Sequence, residues 1–337
     1  MEKEYSFNQK VVVLGGGTGQ FNLLRGLVKL NSPENITAIP GTWDSGGSSG
    51  KLRTDIGTLP PGDARQCLIA LMEKDEQRSV ALGLSQNRFK DVSGPLKGHD
   101  FLNLTIELLG RIYQGHDRAL DAFRTLFCIR GQVVPSSLTN FNLIAKLRSG
   151  IEIFGEKDID QRGDQPNFDP SDRITQIFFD TPAQPNQDAL KAIDKADKIV
   201  FSSGSLWGSI LPHLLINGIP EAIVESSATL IFVLNLMTER GQTDSFTASD
   251  HLRPFVEYLG DKNKLAYMIA NKDGLTNEVV EIYGSEGQEH VSMDEDKCKQ
   301  VAPNLIIISE QLAAYSKRSH LLRHNPDKLA QLILNLS

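Results

Sequence analysis

The sequence predicts a three-layer, Rossmann-like α/β fold with a mainly parallel sheet and an α-helical insertion. Two observations lead to this prediction. Six short apolar runs alternate along the chain with amphipathic helical segments, which is the pattern of parallel strands joined by crossover helices. The first run, residues 11–14, passes directly into a glycine-rich turn and then into a helical pattern, as in nucleotide-binding sheets.

The same patterns divide the chain into three parts. Residues 1–75 are expected to form a nucleotide-binding half and residues 76–150 a helical insertion. Residues 151–337 are expected to form a second α/β half that completes the sheet and a ligand crevice. A chain of 337 residues is long enough to bury a large core in this arrangement.

Composition limits the classes of function. Apolar residues make up 40% and charged residues 23% of the chain, as in ordinary soluble proteins. The net charge of −7 argues against a broad nucleic-acid or anionic-membrane surface. No apolar run approaches the ~20 residues that span a bilayer, and residues 1–10 lack a signal-peptide core. Three distant cysteines without metal spacing, Cys67, Cys128 and Cys298, indicate a reducing compartment. We therefore expect a cytoplasmic protein without membrane insertion and without a nucleic-acid partner.

The first glycine turn is expected to bind an anion. Its glycines follow four apolar residues and precede a helix-like run over residues 20–30, so free backbone N–H groups meet the positive end of a helix dipole. Gln20 stands where a dinucleotide fingerprint needs its third glycine, and no lysine closes a P-loop. The alternative is that the glycines only permit close packing of strand and helix. The residues expected to line the anion are Gly15, Gly16, Gly17, Thr18 and Gly19.

A second donor-rich segment follows the strand predicted over residues 36–39. Asp44 stands where doubly wound sheets often place an acidic residue for a ribose hydroxyl, although Asp before Ser and Gly is also ordinary turn chemistry. Residues 46–50 are predicted to form a flexible loop that contributes Ser48 and Ser49, with Lys51 just behind. Two such loops at adjacent strand ends favour a shared crevice over a linker.

Residues 57–72 predict a helix after two prolines. Asp63 is a plausible N-cap for this helix, and Arg65 is one turn away from the cap. Two assignments are equally compatible with the sequence. In one, Asp63 is a structural cap and Arg65 a surface charge; in the other, they contribute a carboxylate and a guanidinium to the crevice.

Residues 78–148 are predicted to be helical with little strand signal, including amphipathic stretches over residues 101–109, 119–127 and 143–147. His99 lies beside Asp100, a plausible helix cap, and is expected to be structural. Residues 151–154 and 174–179 suggest a hairpin with an acidic loop between its strands.

The second half repeats the strand–turn–helix pattern. A strand over residues 198–201 ends in SSGSLWGS, where Gly204 and Ser205 offer donors at the same topological place as the first turn. The sequence GSLWG does not match a nucleophile elbow.

A strand over residues 229–234 is followed by polar residues that include Asn235, Thr238 and Gly241. Strands over residues 265–270 and 305–308 and a helix over residues 327–336 complete the pattern, and Ser249 or Asp250 is expected to cap the helix that precedes them.

Four signatures stand along the chain in the order GGGTGQFNLLRGL, WDSGGSSGKLR with LPPGDARQCLIAL, SSGSLWGSILPHLL, and NLMTERGQTDSFTASDHL. Together they resemble the gluconeogenesis factor family of bacteria, within the superfamily that includes 2-phospho-L-lactate transferase. The resemblance runs from about residue 11 to beyond residue 270.

This resemblance implies a cytoplasmic protein that binds UDP-sugars and regulates carbon metabolism and cell-envelope homeostasis. It places residues 15–19, Gly204 and Ser205 along the diphosphate, and Asn235, Thr238 and Gly241 beside the nucleotide. Asp44 would face the centre of the crevice. The resemblance also implies a homodimer, while the residues themselves leave the oligomeric state open.

The transferase branch of the superfamily supplies the alternative function. In that case the chain would transfer a phospholactyl-type group from a guanosine-linked donor to a deazaflavin alcohol. Asp44 and Asp63 would then be the catalytic candidates and would hold a magnesium ion with the bound nucleotide. Trp43 or Trp207 would wall the deazaflavin ring. In the nucleotide-sugar hypothesis, Arg65 or Lys51 would offset phosphate charge.

Three departures from the family pattern weaken the transferase alternative more than nucleotide binding. The family usually carries two adjacent acidic residues before the paired glycines, whereas here Asp44 is followed by Ser45. A serine pair, Ser202 and Ser203, replaces the usual glycine–proline before the third turn. Gln242 replaces a glutamate in the fourth signature.

Overall fold

A computed structural model of the chain describes residues 5–272, 274–317 and 320–337. Residues 1–4, part of the stretch without a signal-peptide core, lie outside the described residues. The strands are β1 (Val11–Gly15), β2 (Ile36–Pro40), β3 (Gln132–Val133), β4 (Leu143–Leu147), β5 (Glu152–Phe154), β6 (Ile174–Phe179), β7 (Lys198–Phe201), β8 (Thr229–Val233), β9 (Leu265–Asn271), β10 (Ile306–Glu310), β11 (Ala313–Ser316) and β12 (Leu321–His324).

The α-helices are α1 (Gly17–Leu30), α2 (Gly47–Ile56), α3 (Gly62–Ala70), α4 (Asp75–Asn87), α5 (Phe101–Tyr113), α6 (His116–Leu126), α7 (Glu156–Asp160), α8 (Gln187–Asp194), α9 (Ile219–Glu225), α10 (Ala248–Leu259), α11 (Asn277–Ser285), α12 (Glu295–Val301) and α13 (Pro326–Asn335). Short 3₁₀ segments lie at Pro33–Asn35, Arg162–Asp164 and Leu211–Leu215. In the described part of the chain, no helix is both long and apolar enough to cross a bilayer.

The central sheet has seven strands in the order β10-β9-β8-β7-β1-β2-β3, and every neighbouring pair runs parallel. Side chains alternate between its faces because successive residues of a strand point in opposite directions. Val12 and Leu14 of β1 pack into the core on one face, and Val11 and Val13 pack into the core on the other. Both faces are therefore buried, which explains why these strands read as nearly continuous apolar runs.

Helices cover both faces and make the fold three-layered. On one face α1, α3, α5, α6 and α13 bury their apolar sides, for example Leu24, Leu68 and Phe123. On the other face α8, α9, α10 and α12 do the same, for example with Ile193 and Phe255. The six predicted strands, most of the helices between them and the helix over residues 327–336 are thus confirmed, and so is the Rossmann-like α/β class.

The helical prediction for residues 78–148 is wrong in its last third. Residues 143–147 form β4, the central strand of an antiparallel sheet with the order β5-β4-β6. Leu143, Ala145 and Leu147 point into the core at a spacing of two, and five residues are too few to distinguish that spacing from a helical one. The strands over residues 151–154 and 174–179 exist, but each pairs with β4, so they do not form the predicted hairpin.

Two predicted boundaries also differ. The expected flexible loop over residues 46–50 is mostly the first turn of α2, and its burial stabilises a sequence with low helix propensity. The helix expected after SSGSLWGS is a π-helical turn, Leu206–Ile210, followed by the 3₁₀ segment Leu211–Leu215. Pro212 lacks the N–H group that a regular α-helix would need there.

Candidate functional site

The first glycine turn joins β1 to α1 and opens the crevice. Gly17 adopts a φ of +57°, and a Cβ atom there would have no neighbour within 4 Å. A Cβ atom on Gly19 would lie 1.7 Å from the carbonyl oxygen of Ser203. The glycines of this turn therefore serve different purposes. Gly19 permits close packing against the loop after β7, whereas Gly17 faces open space in which an anion could lie.

The N-terminus of α1 has backbone donors to offer. The N–H group of Gly17 donates to Asp63 Oδ1 over 3.0 Å. For the next two N–H groups, those of Thr18 and Gly19, no acceptor is found among residues 5–272, 274–317 and 320–337. Thr18 and Gly19 both line a cavity. Free N–H groups at the positive end of a helix dipole are suited to a phosphate.

A buried histidine fixes the start of this turn. The Gly15 N–H group lies 3.1 Å from His213 Nε2, and the Gly15 carbonyl oxygen lies 3.0 Å from the same nitrogen. Burial lowers the pKa of His213 to about 4, so the ring is neutral at physiological pH. His213 packs edge-on against Trp43 with ring centroids 5.0 Å apart. His213 lies in the third signature, but the sequence analysis did not single it out, because its contact with Gly15 joins segments 198 positions apart.

The loops after β7 and β8 hold each other in place. The amide of Asn235 accepts from the Gly204 N–H group over 3.0 Å and donates to the Gly204 carbonyl over 2.8 Å. Ser205 Oγ caps the following turn by accepting from the Gly208 N–H group, and it donates to Gln242 Oε1 over 2.7 Å. Both predicted site residues Asn235 and Ser205 thus shape the crevice through bonds to neighbouring protein groups.

Thr238 and Gly241 are brought near the same wall by different contacts. Thr238 exchanges two hydrogen bonds with the Glu289 backbone, of 2.7 and 2.9 Å, and it lines the cavity. The Gly241 carbonyl accepts from Arg162, and a Cβ atom on Gly241 would lie 2.4 Å from the Gly163 nitrogen. Gly241 therefore serves close packing against the Arg162–Asp164 turn.

Asp44 lies at the second loop and faces the start of α3. Its Oδ1 accepts from the Gly46 N–H group over 2.7 Å, and its Oδ2 lies 2.8 Å from where a Cβ atom on Gly62 would stand. Burial raises the pKa of Asp44, against hydrogen bonds from Gly46 and Ser49. Ser48 faces the other way, because its Oγ accepts from the Asp100 N–H group over 3.1 Å.

The structure shows what surrounds Asp63 and Arg65, for which the sequence left two roles open. Asp63 is not the N-cap of α3, a position held by Pro61; its carboxylate faces the first glycine turn. Arg65 forms a buried ion pair with Asp100, which also accepts from Ser85 Oγ over 2.6 Å. Lys51 Nζ reaches the Lys97 carbonyl at 3.4 Å. Neither of the two cations projects freely into the crevice.

Five carboxyl groups lie close enough to influence one another's charge, and one of them, Glu239, lines the cavity; we call the five the acidic wall. Burial, reinforced by the neighbouring carboxylates, raises the pKa to about 7 for Asp63, about 8 for Glu156 and about 7 for Glu239. Asp44 and Asp160 are shifted in the same direction, mainly by burial. The sequence analysis did not assign Glu156, Asp160 or Glu239 to the site: Glu156 and Asp160 stand on α7 outside the four signatures, and Glu239 lies inside the fourth signature without being singled out.

The cavity itself has a volume of about 350 Å³ and lies at the carboxyl ends of β1, β7 and β8. Its apolar end contains Leu236, Met237, Tyr283 and Leu322. Arg323 of β12 also lines it; its one described bond is to the adjacent Leu322 carbonyl, over 2.7 Å. The sequence analysis did not identify Tyr283 or Arg323, because neither follows a glycine-rich turn.

A second cavity of similar volume, about 370 Å³, lies at the amino ends of the strands and is lined by Lys10, Thr37 and Gln132 among others. None of the predicted site residues reaches it. Ligands of open parallel sheets bind outside the carboxyl ends of the strands, so the cavity beside α1 is the candidate site.

Neither tryptophan forms the wall of an open slot. Trp43 is 3% exposed, and its indole N–H group donates to the Gly208 carbonyl over 2.6 Å. Trp207 is also 3% exposed and packs in the core between the central sheet and the helices. The two indoles that the sequence analysis assigned to a deazaflavin ring are core residues.

Comparisons with known proteins agree with this architecture. A family model described as 2-phospho-L-lactate transferase CofD matches residues 11–311. A gluconeogenesis factor of Halalkalibacterium halodurans is 36% identical over 328 residues, covering 97% of this chain and 96% of that protein. The gluconeogenesis factor of Bacillus subtilis is 32% identical over 329 residues, covering 97% and 98%.

A solved structure extends this likeness to three dimensions. The crystal structure of a Bacillus halodurans protein superposes with a TM-score of 0.87 at 34% identity, covering 97% of this chain and all of that one. The likeness in fold therefore extends over nearly the whole chain. The chain belongs to the gluconeogenesis factor family.

Proposed function

We propose that this protein binds a nucleotide-sugar of the UDP-sugar type in the crevice and thereby regulates carbon metabolism and cell-envelope homeostasis. The observation that carries the proposal is the opening of the α1 N-terminus onto the cavity. There, the free N–H groups of Thr18 and Gly19 meet an arginine, Arg323, for which the described residues offer no carboxylate partner. This combination suits a diphosphate.

The two ends of the crevice suggest how such a ligand lies. Tyr283 and Leu322 form an apolar surface at one end, on which a base can stack. Glu239 of the acidic wall also lines the cavity, and we infer that a ligand extending past it toward Asp44 and Asp63 would donate hydrogen bonds from its sugar hydroxyls to these carboxylates. A nucleotide-sugar carries its base and its sugar on opposite sides of the diphosphate. We therefore place the base beside Tyr283 and the sugar beside Asp44.

Calorimetric titration of the purified protein tests this proposal. We expect UDP-glucose and UDP to bind without a divalent cation, and GDP and GTP to bind more weakly. Arg323→Gln should weaken the binding of both uridine ligands, because it removes a charge-assisted contact worth about 1.5–3 kcal/mol. The matched control is Arg253→Gln on α10, an exposed arginine away from the cavity. Failure of every nucleotide to bind would contradict the proposal.

A transferase of the 2-phospho-L-lactate type is the second candidate. It is favoured by the family model's description and by the proximity of Asp44 and Asp63, since the Asp44 charge raises the pKa of Asp63. The core positions of Trp43 and Trp207 leave the deazaflavin ring without the predicted aromatic wall.

The side chains fit a magnesium ion only when phosphate oxygens share it. In the described part of the chain, no group of three or more His, Cys, Asp or Glu side chains is arranged to hold a metal. Magnesium is usually bound by one or two carboxylates plus substrate phosphates, and Asp44 and Asp63 would hold it in that way. Its role would be to neutralise phosphate charge. Turnover of a guanosine-linked donor that requires magnesium would favour this candidate over the regulatory binder.

A further inference from the structure

We propose that the acidic wall makes the crevice select for sugars without a negative charge, so that it accepts neutral or amino sugars and rejects uronic-acid sugars. The inference rests on the proposed function, because it concerns the sugar end of the same ligand. It goes further by assigning a specificity to Asp44, Asp63, Glu156, Asp160 and Glu239.

The five carboxyl groups come from four places in the chain, with Glu156 and Asp160 at the two ends of α7, and each lies near at least one other. Asp63 Oδ2 lies 2.6 Å from where a Cβ atom on Gly16 would stand. Glu156 Cγ lies 3.8 Å from the corresponding position on Gly208. The Asp63 carboxylate therefore faces the first loop, next to the free donors of α1, while the Glu156 side chain passes the third loop and its carboxyl group accepts a hydrogen bond from the Ser45 backbone.

These carboxylates are poorly neutralised by the protein. None of the five forms an ion pair among residues 5–272, 274–317 and 320–337. Arg53 and Arg65 are close enough to stabilise the charge of Asp44. However, Arg65 pairs with Asp100, and Arg53 donates to Asn140 Oδ1 over 2.8 Å and to backbone carbonyls.

Glu239 supplies independent evidence that a ligand group belongs here. Its Oε2 atom is shielded from solvent and has no hydrogen-bond partner in the described structure, although Glu239 lines the cavity. A shielded carboxylate oxygen without a partner is costly. A hydroxyl or ammonium group of a ligand would satisfy this oxygen, whereas a second carboxylate could not, since both groups only accept hydrogen bonds when ionised.

Selectivity then follows from repulsion rather than from shape. A sugar hydroxyl beside the wall donates to a carboxylate, and an amino group adds charge attraction. A carboxylate at the same place would meet like charges in a partly desolvated crevice, which discriminates strongly between otherwise similar ligands.

The test compares UDP-glucose with UDP-glucuronic acid, which differ only in a hydroxymethyl group against a carboxylate on the sugar. Calorimetric titration near pH 8 with a chelator present measures both affinities. We expect UDP-glucuronic acid to bind at least about tenfold more weakly, equivalent to about 1.4 kcal/mol. Equal affinities would overturn the inference.

Two variants assign the effect to the wall. Glu156→Gln and Asp160→Asn each remove one carboxylate with little change in shape, and each should raise the affinity for UDP-glucuronic acid more than that for UDP-glucose. Glu221→Gln on α9, an exposed position outside the crevice, is the matched control. It should leave the ratio of the UDP-glucose affinity to the UDP-glucuronic acid affinity unchanged. If neither crevice variant alters this affinity ratio, the inference is also overturned.

The two proposals fail in different ways. If wild-type protein binds neither UDP-glucose nor UDP, the proposed function is wrong and the selectivity falls with it. If UDP-glucose binds and UDP-glucuronic acid binds equally well, the proposed function stands and only the selectivity is wrong.

Discussion

Asp63 Oδ1 accepts a 3.0 Å hydrogen bond from the backbone N–H group of Gly17, although the two residues are 46 positions apart. The bond joins the first turn of α3 to the first turn of α1 and places a carboxylate where a helix dipole favours one. It also holds that carboxylate near Asp44, whose charge disfavours ionisation of Asp63. One side chain thus braces the glycine turn and adds negative charge beside it.

The first prediction concerns pH. Burial and the nearby Asp44 raise the Asp63 pKa from 3.8 to about 7, so the native state binds this proton more tightly than the unfolded chain does. The contribution of Asp63 to the free energy of unfolding should therefore decrease as pH rises from about 4 to about 7. Asp63→Asn should remove this part of the slope and stabilise the protein near pH 8, by on the order of 1 kcal/mol. Urea denaturation across that range measures the effect.

Asp188→Asn is the control for this experiment, since Asp188 is an exposed residue paired with Lys191 on α8. It should leave the slope unchanged. A pH profile that Asp63→Asn leaves equally steep would show that Asp63 titrates near its ordinary value.

The second prediction separates the two glycines of the α1 turn. Gly19→Ala forces a Cβ atom into the Ser203 carbonyl and should destabilise the protein by about 3 kcal/mol or more. Gly17→Ala meets no neighbour but must keep a φ of +57°, which costs about 1–2 kcal/mol. Chemical denaturation of both variants gives the comparison. A loss at Gly17 as large as that at Gly19 would contradict this account.

The third prediction concerns the buried ion pair between Arg65 and Asp100. Arg65→Met leaves the Asp100 carboxylate without its cation and should cost about 3–5 kcal/mol. The double variant Arg65→Met with Asp100→Asn should lose less than the sum of the single losses, because it no longer buries an uncompensated charge. A double-mutant cycle by urea denaturation measures the coupling energy. Additive losses would mean that the two residues act independently.

The fourth prediction tests whether the hydrogen bond of His213 to Gly15 positions the glycine turn. His213→Phe keeps a ring in the core but removes the nitrogen bonded to Gly15. We expect it to lower the free energy of unfolding by about 1–3 kcal/mol and to weaken the binding of UDP. His213→Gln retains a polar group near that position and should recover part of the affinity. Ligand binding as tight in His213→Phe as in wild type would contradict the positioning role.

The sequence predicted the central strands well because both faces of that sheet are buried. It failed at β4, where five residues with alternating burial resemble a short amphipathic helix. It also failed at α2, whose residues have low helix propensity. There, close packing decides the structure, since a Cβ atom on Gly50 would lie 2.1 Å from the Ser45 carbonyl oxygen.

The candidate site was predictable only where it follows a glycine-rich turn. Thr18, Gly19 and Asn235 were found because they stand directly after strands. Glu239 lies in the fourth signature but was not singled out, and Arg323 lies outside all four; the relevance of both depends on which elements the fold brings together. The sequence also did not reveal the partner of Arg65, since Arg65 lies on α3, Asp100 is the N-cap of α5, and many other acidic residues were available.

The hairpin of β11 and β12 has a consequence for how the site comes into being during synthesis. Asn22 of α1 donates to the carbonyl oxygen of His324, 302 positions later, and Arg323 stands beside it in the cavity. A ribosome must therefore release α1 and nearly the whole central sheet before the residues that complete the pocket emerge. The nucleotide site can therefore form only late in synthesis. An mRNA truncated before the codons of β12 would give a protein that has the central sheet but an incomplete pocket.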